Sequence, residues 1–106
     1  MTTRVAITGM AGVTPFGNTW HEVGPRLKAL ENAVVHMDEW DQYEGLNTRL
    51  AAPVRNFSLP AGVPRKKSRS MGRVAQLATV ASELALKRAG LLDDPVLTSE
   101  AAGIAY

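Results

Sequence analysis

Arg4-Val5-Ala6-Ile7-Thr8-Gly9-Met10-Ala11-Gly12-Val13-Thr14-Pro15-Phe16-Gly17 opens the chain after three residues and decides how the rest is read. Its first part, Arg4 to Thr8, is short, β-branched and nearly all apolar. Such a run predicts a strand buried on both faces, as in a helix-covered parallel sheet. Gly9, Gly12, Pro15 and Gly17 then interrupt regular structure. A strand running through glycines into a helix invites a phosphate-binding reading. The spacing opposes it: glycines at 9, 12 and 17 do not form G-x-G-x-x-G, and no Gly-Lys-Ser/Thr follows. The better reading is a tight connection in which backbone approaches backbone closely.

Working outward, Asn18 or Thr19 is placed to cap a helix reaching about Leu30, with Trp20, Val23, Leu27 and Leu30 on one face. Pro25 inside that span costs about 3 kcal/mol unless it falls in the first turn, which would move the start towards Val23. Val34 to Leu46 is aromatic and acidic without a period. Arg49 to Val54 suits a strand that Pro53 confines to an edge or an end, and Phe57 to Pro64 is a proline-rich turn segment. Met71, Val74, Leu77, Ala78, Ala81, Leu84 and Ala85 recur at helical spacing and predict a helix from about Lys67 to Ala89. Lys87 and Arg88 suit its negative end and Gly90 its C-cap. Asp93 to Pro95 reads as a turn, and Ala101 to Tyr106 as the start of a second buried strand. An apolar strand is an unusual place for a chain to stop, since termini are mostly exposed and frayed. The expectation is an α/β fragment of a longer polypeptide, interrupted within that strand.

Composition removes several classes of function. The 106 residues carry a net charge of +2, too little for a general affinity for nucleic acid. With 45% hydrophobic and 21% charged residues the chain is of ordinary globular composition. It contains no cysteine, which excludes disulfides, thiolate metal sites and thiol catalysis within these residues. No secretory signal opens the chain and no apolar run is long enough to span a bilayer, so a cytoplasmic location is expected.

Among candidate sites the basic cluster Arg65, Lys66, Lys67, Arg69 and Arg73 stands out. Cations at a helix N-terminus oppose the helix dipole by roughly 0.3–1 kcal/mol each. A charge run of this kind reads either as a solvated helix end or, since a segment tuned for stability alone would place acids there, as a surface for an anionic partner whose encounter it speeds. His21 and His36 show no HExxH pattern and no carboxylate at ligand spacing, and both read as surface or packing residues. Asp38, Glu39, Asp41 and Glu44 lack the alternation and internal glycine of an EF-hand and read as a solvated loop. Asn56-Phe57-Ser58 matches a glycosylation sequon but has no secretory context. No GxSxG is present. No metal, cofactor or catalytic residue is assigned within the chain.

Val5 to Gly17 is similar to the opening of β-ketoacyl-acyl-carrier-protein synthases, V-[VA]-I-T-G-x-G-x-[VI]-[TS]-P-x-G, departing from it at Ala11-Gly12. Arg69 to Leu91, an alanine-rich helix ending in Ala89-Gly90-Leu91, and Thr98 to Tyr106 follow the same family in the right order. The resemblance implies a thiolase-like fold, two α/β halves layered αβαβα, of which residues 1–106 would be the opening part of the N-terminal domain. It also implies a Cys-His-His catalytic set; no position here matches it, and His21 and His36 lie too early in the chain. In related synthases, basic residues at the start of the long helix dock the acidic acyl carrier protein. Aligned through Met71, Lys66 and Arg69 match those positions, Arg65 matches a basic residue, Ser70 replaces one, and Lys67 is placed to compensate.

Met37 to Asp41, Thr48 to Pro53 and Arg69 to Arg73 further resemble the ketosynthases of bacterial aryl polyene pathways, which pair with a chain-length-factor subunit of the same fold. The expected activity is decarboxylative Claisen condensation of an acyl thioester with malonyl-carrier protein, in fatty acid, polyketide or aryl polyene elongation, by a homodimer or by a heterodimer with a chain-length-factor-like subunit. The alternative is such a non-catalytic partner itself. A thiolase-type relative using coenzyme A is a third reading, mildly disfavoured by the basic cluster.

Overall fold

The computed structural model describes residues 2–105, and the chain divides into two compact units. One is continuous, Val13–Ser58; the other joins the segment up to Gly12 with the chain from Leu59 onward.

The continuous unit begins with a tight reversal. Thr14 and Gly17 exchange backbone hydrogen bonds of 3.1 and 3.2 Å around Pro15 and Phe16. The Thr14 hydroxyl donates to the Gly17 carbonyl at 2.7 Å and accepts from the Phe16 N–H. Helix α1 follows at Trp20–Lys28. It starts there, three residues before Val23, because Thr19 and Glu22 form a reciprocal capping box. The Thr19 hydroxyl accepts from the Glu22 N–H, and Glu22 Oε2 accepts from the Asn18 and Thr19 N–H groups at 2.9 and 3.0 Å. Pro25 lies inside the helix, which ends three residues later at Lys28, short of the expected Leu30. Trp20, Val23 and Leu27 keep the expected spacing within α1, Leu30 lies beyond it, and Trp20, Leu27 and Leu30 are 62%, 49% and 90% exposed.

Strands β1 (Val35–His36) and β2 (Leu50–Ala51) pair antiparallel, Val35 opposite Ala51 and His36 opposite Leu50. The Met37 N–H extends the pairing to the Arg49 carbonyl at 2.7 Å. The pairing stops before Pro53, which has no N–H to offer, so the predicted strand over 49–54 shortens to an edge pair. A 3-10 turn at Asp38–Trp40 lies between the strands, and Met37 is the buried apolar residue of this unit.

The second unit is built on α3, Arg73–Ala89. The single helix expected from Lys67 is corrected to two: a short α2, Arg65–Ser68, then a non-helical turn, then α3. Gly72 breaks the run with extended ψ of 170°, and the Ser68 and Ser70 hydroxyls bond to the carbonyls of Arg65 and Lys67. Serine hydroxyls compete with helix hydrogen bonds in this way and favour turns. The far end of α3 is as predicted. Gly90 adopts φ 72°, its N–H reaches the Leu86 and Lys87 carbonyls, and the Leu91 N–H returns to the Leu86 carbonyl at 2.9 Å. This is a Schellman closure, which favours glycine at its left-handed residue. Asp94 then caps a 3-10 turn at Pro95–Thr98.

The strands expected at Arg4–Thr8 and Ala101–Tyr106 are also corrected. Residues 4–8 and 101–105 form no ladder, and Tyr106 lies outside the described residues. A strand exists only through the neighbour that takes up its backbone hydrogen bonds, and no described residue does so for these segments. Val5 and Ile7 are accordingly 90% and 79% exposed. Val80 on α3 is the buried apolar residue of this unit.

Gly9 shows the close approach expected of its loop. A Cβ at this position would stand 2.5 Å from the Ala85 carbonyl oxygen, 2.7 Å from the Ala89 nitrogen and 2.9 Å from the Ala89 Cβ. Gly9→Ala is therefore expected to lower stability by about 1–3 kcal/mol, because backbone must move to admit a methyl group; urea unfolding of the protein measures it. Thr19→Ala should cost about 1 kcal/mol through loss of the cap. The Thr19 hydroxyl, then the Thr19 and Asn18 N–H groups, hold the Glu22 carboxyl below its usual value. The stabilisation from ionised Glu22 is thus present above the ordinary carboxylate pKa and disappears as pH falls through the lowered one. Unfolding of Glu22→Gln followed across that acidic window should show a difference from wild type that vanishes at its lower end.

Candidate functional site

The five cations of the predicted cluster are brought together at the corner between α2 and α3. Arg65, Lys66 and Lys67 lie on α2, Arg69 in the turn after it, and Arg73 at the first position of α3. All five are exposed. Proline 64 sets the corner, since Lys67 and Ser68 both donate their N–H to its carbonyl, at 2.9 and 3.1 Å. Below the turn, Gln76 donates to the Met71 carbonyl at 3.1 Å, which ties the turn to α3. No acid occupies the first turn of either helix. Among the described residues no carboxylate lies within ion-pairing distance of Arg65, Lys66, Lys67 or Arg69. The corner is thus an exposed positive surface on which no described carboxylate offsets Arg65, Lys66, Lys67 or Arg69.

A second cluster escaped the sequence reading. His36 Nδ1 lies 2.8 Å from Asp38 Oδ1, and His36 Nε2 lies 3.4 Å from Asp41 Oδ1, so a carboxylate stands by each ring nitrogen. Arg49 Nε approaches the same Asp41 oxygen at 3.1 Å. The reading of His36 as lacking a suitably spaced carboxylate is corrected, while Asp38, Glu39, Asp41 and Glu44 are all exposed, as a solvated loop requires. The β1–β2 pairing folds the intervening loop back and brings Arg49 beside Asp41. The ligand atoms of His36, Asp38 and Asp41 fall within 4.8 Å of one another, but all three residues are exposed and Arg49 already offsets Asp41. His36-x-Asp38-x-x-Asp41 was the available signal. Among the described residues His21 joins no such group. Beside this loop, Trp40, Tyr43, Leu46, Asn47 and Thr48 line an open cleft of about 480 Å³.

Comparison with known proteins gives these features their context. Residues 2–105 match the family model described as β-ketoacyl synthase, N-terminal domain. The chain belongs to the β-ketoacyl synthase family. A crystal structure of a β-ketoacyl synthase from Burkholderia phymatum STM815 is 54% identical, with a TM-score of 0.81 over 91% of this chain and 24% of that one. The 3-oxoacyl-[acyl-carrier-protein] synthase 2 of Staphylococcus aureus strain COL is 33% identical over 92 residues, 83% of this chain and 21% of its own length. That of Vibrio cholerae serotype O1 is 31% identical over 88 residues, 83% of this chain and 21% of its own. The chain therefore spans about a fifth of the length of these curated relatives. The thiolase-like fold expected from the opening motif stands, as the opening part of a β-ketoacyl synthase.

Within this synthase domain no cysteine is present. Among the described residues no helix is long and apolar enough to cross a membrane. Asp41 lies between His36 and Arg49, at 3.4 and 3.1 Å. Asp41→Asn removes the charge that faces both His36 and Arg49 and should cost about 0.5–1 kcal/mol at low salt. The difference from wild type should shrink in about 1 M salt, where charges are screened over a few ångströms; paired chemical denaturations at the two salt concentrations check it.

Proposed function

We propose that this chain is the N-terminal part of a 3-oxoacyl-acyl-carrier-protein synthase that extends acyl chains by decarboxylative Claisen condensation in the cytoplasm. The observation that carries the reading is the match to a β-ketoacyl synthase structure at 54% identity and a TM-score of 0.81. In such a condensation the carboxylate of malonyl-carrier protein leaves as carbon dioxide. The resulting enolate attacks the acyl thioester carbonyl, a carbon–carbon bond forms, and the thiolate departs. The nucleophile and the two histidines that the family resemblance implies have no counterpart in residues 1–106, and the remainder of the polypeptide would supply them. The protein works as a homodimer or with a chain-length-factor-like subunit. The aryl polyene subtype rests on the resemblance of Met37 to Pro53 and Arg69 to Arg73.

In this proposal the contribution of the chain itself is carrier-protein docking through Arg65, Lys66, Lys67, Arg69 and Arg73. Support comes from their exposure at one corner, from the absence of described carboxylate partners for the first four, and from Arg73 at the first position of α3, where stability alone favours an acid. Long-range attraction of this kind raises the encounter rate and is salt-sensitive.

Two measurements test the reading. Reversing Lys66→Glu and Arg69→Glu together in the full-length protein should weaken acyl-carrier-protein binding roughly tenfold at low salt, taking exposed pairs at up to about 1 kcal/mol each. Binding indistinguishable from wild type would remove the docking role. Condensation assayed with acyl- and malonyl-carrier protein should be present in the full-length protein and absent from residues 1–106 alone. A glutamine or other residue at the nucleophile position, with no condensation, would favour the chain-length-factor alternative.

A further inference from the structure

The turn between α2 and α3 carries a feature that docking does not use. Residues 65–73 read Arg-Lys-Lys-Ser-Arg-Ser-Met-Gly-Arg, with five cations, no acid and two serines. The serines are not equivalent. Ser68 is half-buried within α2, and its hydroxyl donates to the Arg65 carbonyl at 3.3 Å. Ser70 is exposed, lies outside both helices, and donates a single hydrogen bond to the Lys67 carbonyl at 3.1 Å. A serine in a surface turn is drawn into an extended conformation more easily than one in a helix, since little ordered structure has to open.

We infer that Ser70 is a phosphorylation site whose modification switches off the basic corner. Lys67 and Arg69 stand three and one residues from Ser70, and Arg65 and Lys66 precede them. That dense positive charge suits a serine kinase with an acidic substrate cleft. In the reaction the Ser70 oxygen attacks the γ-phosphorus of ATP. The new oxygen–phosphorus bond forms as the bond to the β-bridging oxygen breaks, ADP leaves with the electron pair, and the serine proton passes to a base of the kinase. The product carries about −1.5 to −2 charges at neutral pH and three strong acceptor oxygens. Placed among Lys67, Arg69 and their neighbours, those oxygens pair with the side chains that would otherwise face an acidic partner, and repel that partner directly. The inference rests on the docking role proposed above and adds a means of regulating it.

The test uses the full-length synthase, ATP and a purified serine kinase that prefers basic residues before the acceptor. Mass spectrometry locates the phosphoryl group, and binding is measured with purified acyl carrier protein. The expected result is one phosphoryl group on Ser70, a roughly tenfold loss of carrier affinity at low salt that narrows as salt is raised, and recovery after phosphatase treatment. Ser70→Ala should escape modification, and Ser70→Glu should reproduce part of the loss. Phosphorylation at Ser68, no phosphorylation, or phospho-Ser70 protein that binds carrier as tightly as the unmodified form would each overturn the inference. If Lys66→Glu with Arg69→Glu weakens binding while phospho-Ser70 does not, only the switch fails. If the double reversal also leaves binding intact, the docking role fails with it.

Discussion

The contact between Gly9 and the C-terminal half of α3 is the constraint around which the discontinuous unit is arranged. A hypothetical Cβ at Gly9 falls within 3 Å of Ala85 and Ala89, so backbone meets backbone with only hydrogens between. Such an approach needs small residues on both sides: glycine in the loop and alanine on the helix. It sets the opening segment against a helix that begins more than sixty residues later in the chain. The same helix carries the other landmarks of the unit, buried Val80, the Gly90 closure and, at its opposite end, the basic corner.

Charge is distributed differently on the three helices. α1 has Glu22 in its first turn and Arg26 and Lys28 in its last, the order that a helix dipole favours. α2 and α3 begin without any acid, α2 carries three cations, and α3 begins on a fourth. The chain is thus able to arrange charges for stability and does so at α1. At the α2–α3 corner the cations gather without a described carboxylate beside Arg65, Lys66, Lys67 or Arg69.

Motifs tied to local backbone chemistry were legible directly. Asn18 or Thr19 was offered as the cap of α1, Pro53 as the limit of β2, and Lys87, Arg88 and Gly90 as the end of α3, because each acts through hydrogen bonds or charge within a few residues; the part of Glu22 in the cap emerged only with the structure. The break between α2 and α3 was missed because apolar spacing runs through it. Met71 and Val74 keep the helical period while Gly72 and the Ser68 and Ser70 hydroxyls interrupt the backbone beneath them. The His36–Asp38–Asp41–Arg49 group was missed because Arg49 arrives from the residue before β2, and its place depends on a register that pattern alone left open.

By itself the sequence determined the family, the glycine connection after Thr8, the identity of the long helix and the cations that crowd its approach. The family follows from the resemblance of its motifs, and the other three from residue types that dictate backbone geometry or charge wherever they sit. Tertiary structure decided the rest. It showed that residues 4–8 and 101–105 form no strand among the described residues, since a strand is defined by a neighbour and not by its own composition. It also showed that one basic stretch is a corner of two helices, which exposes Arg65, Lys66, Lys67 and Arg69 together with no described carboxylate at pairing distance. Charge is a property of residues, but whether that charge is compensated depends on what folding brings within a few ångströms of it.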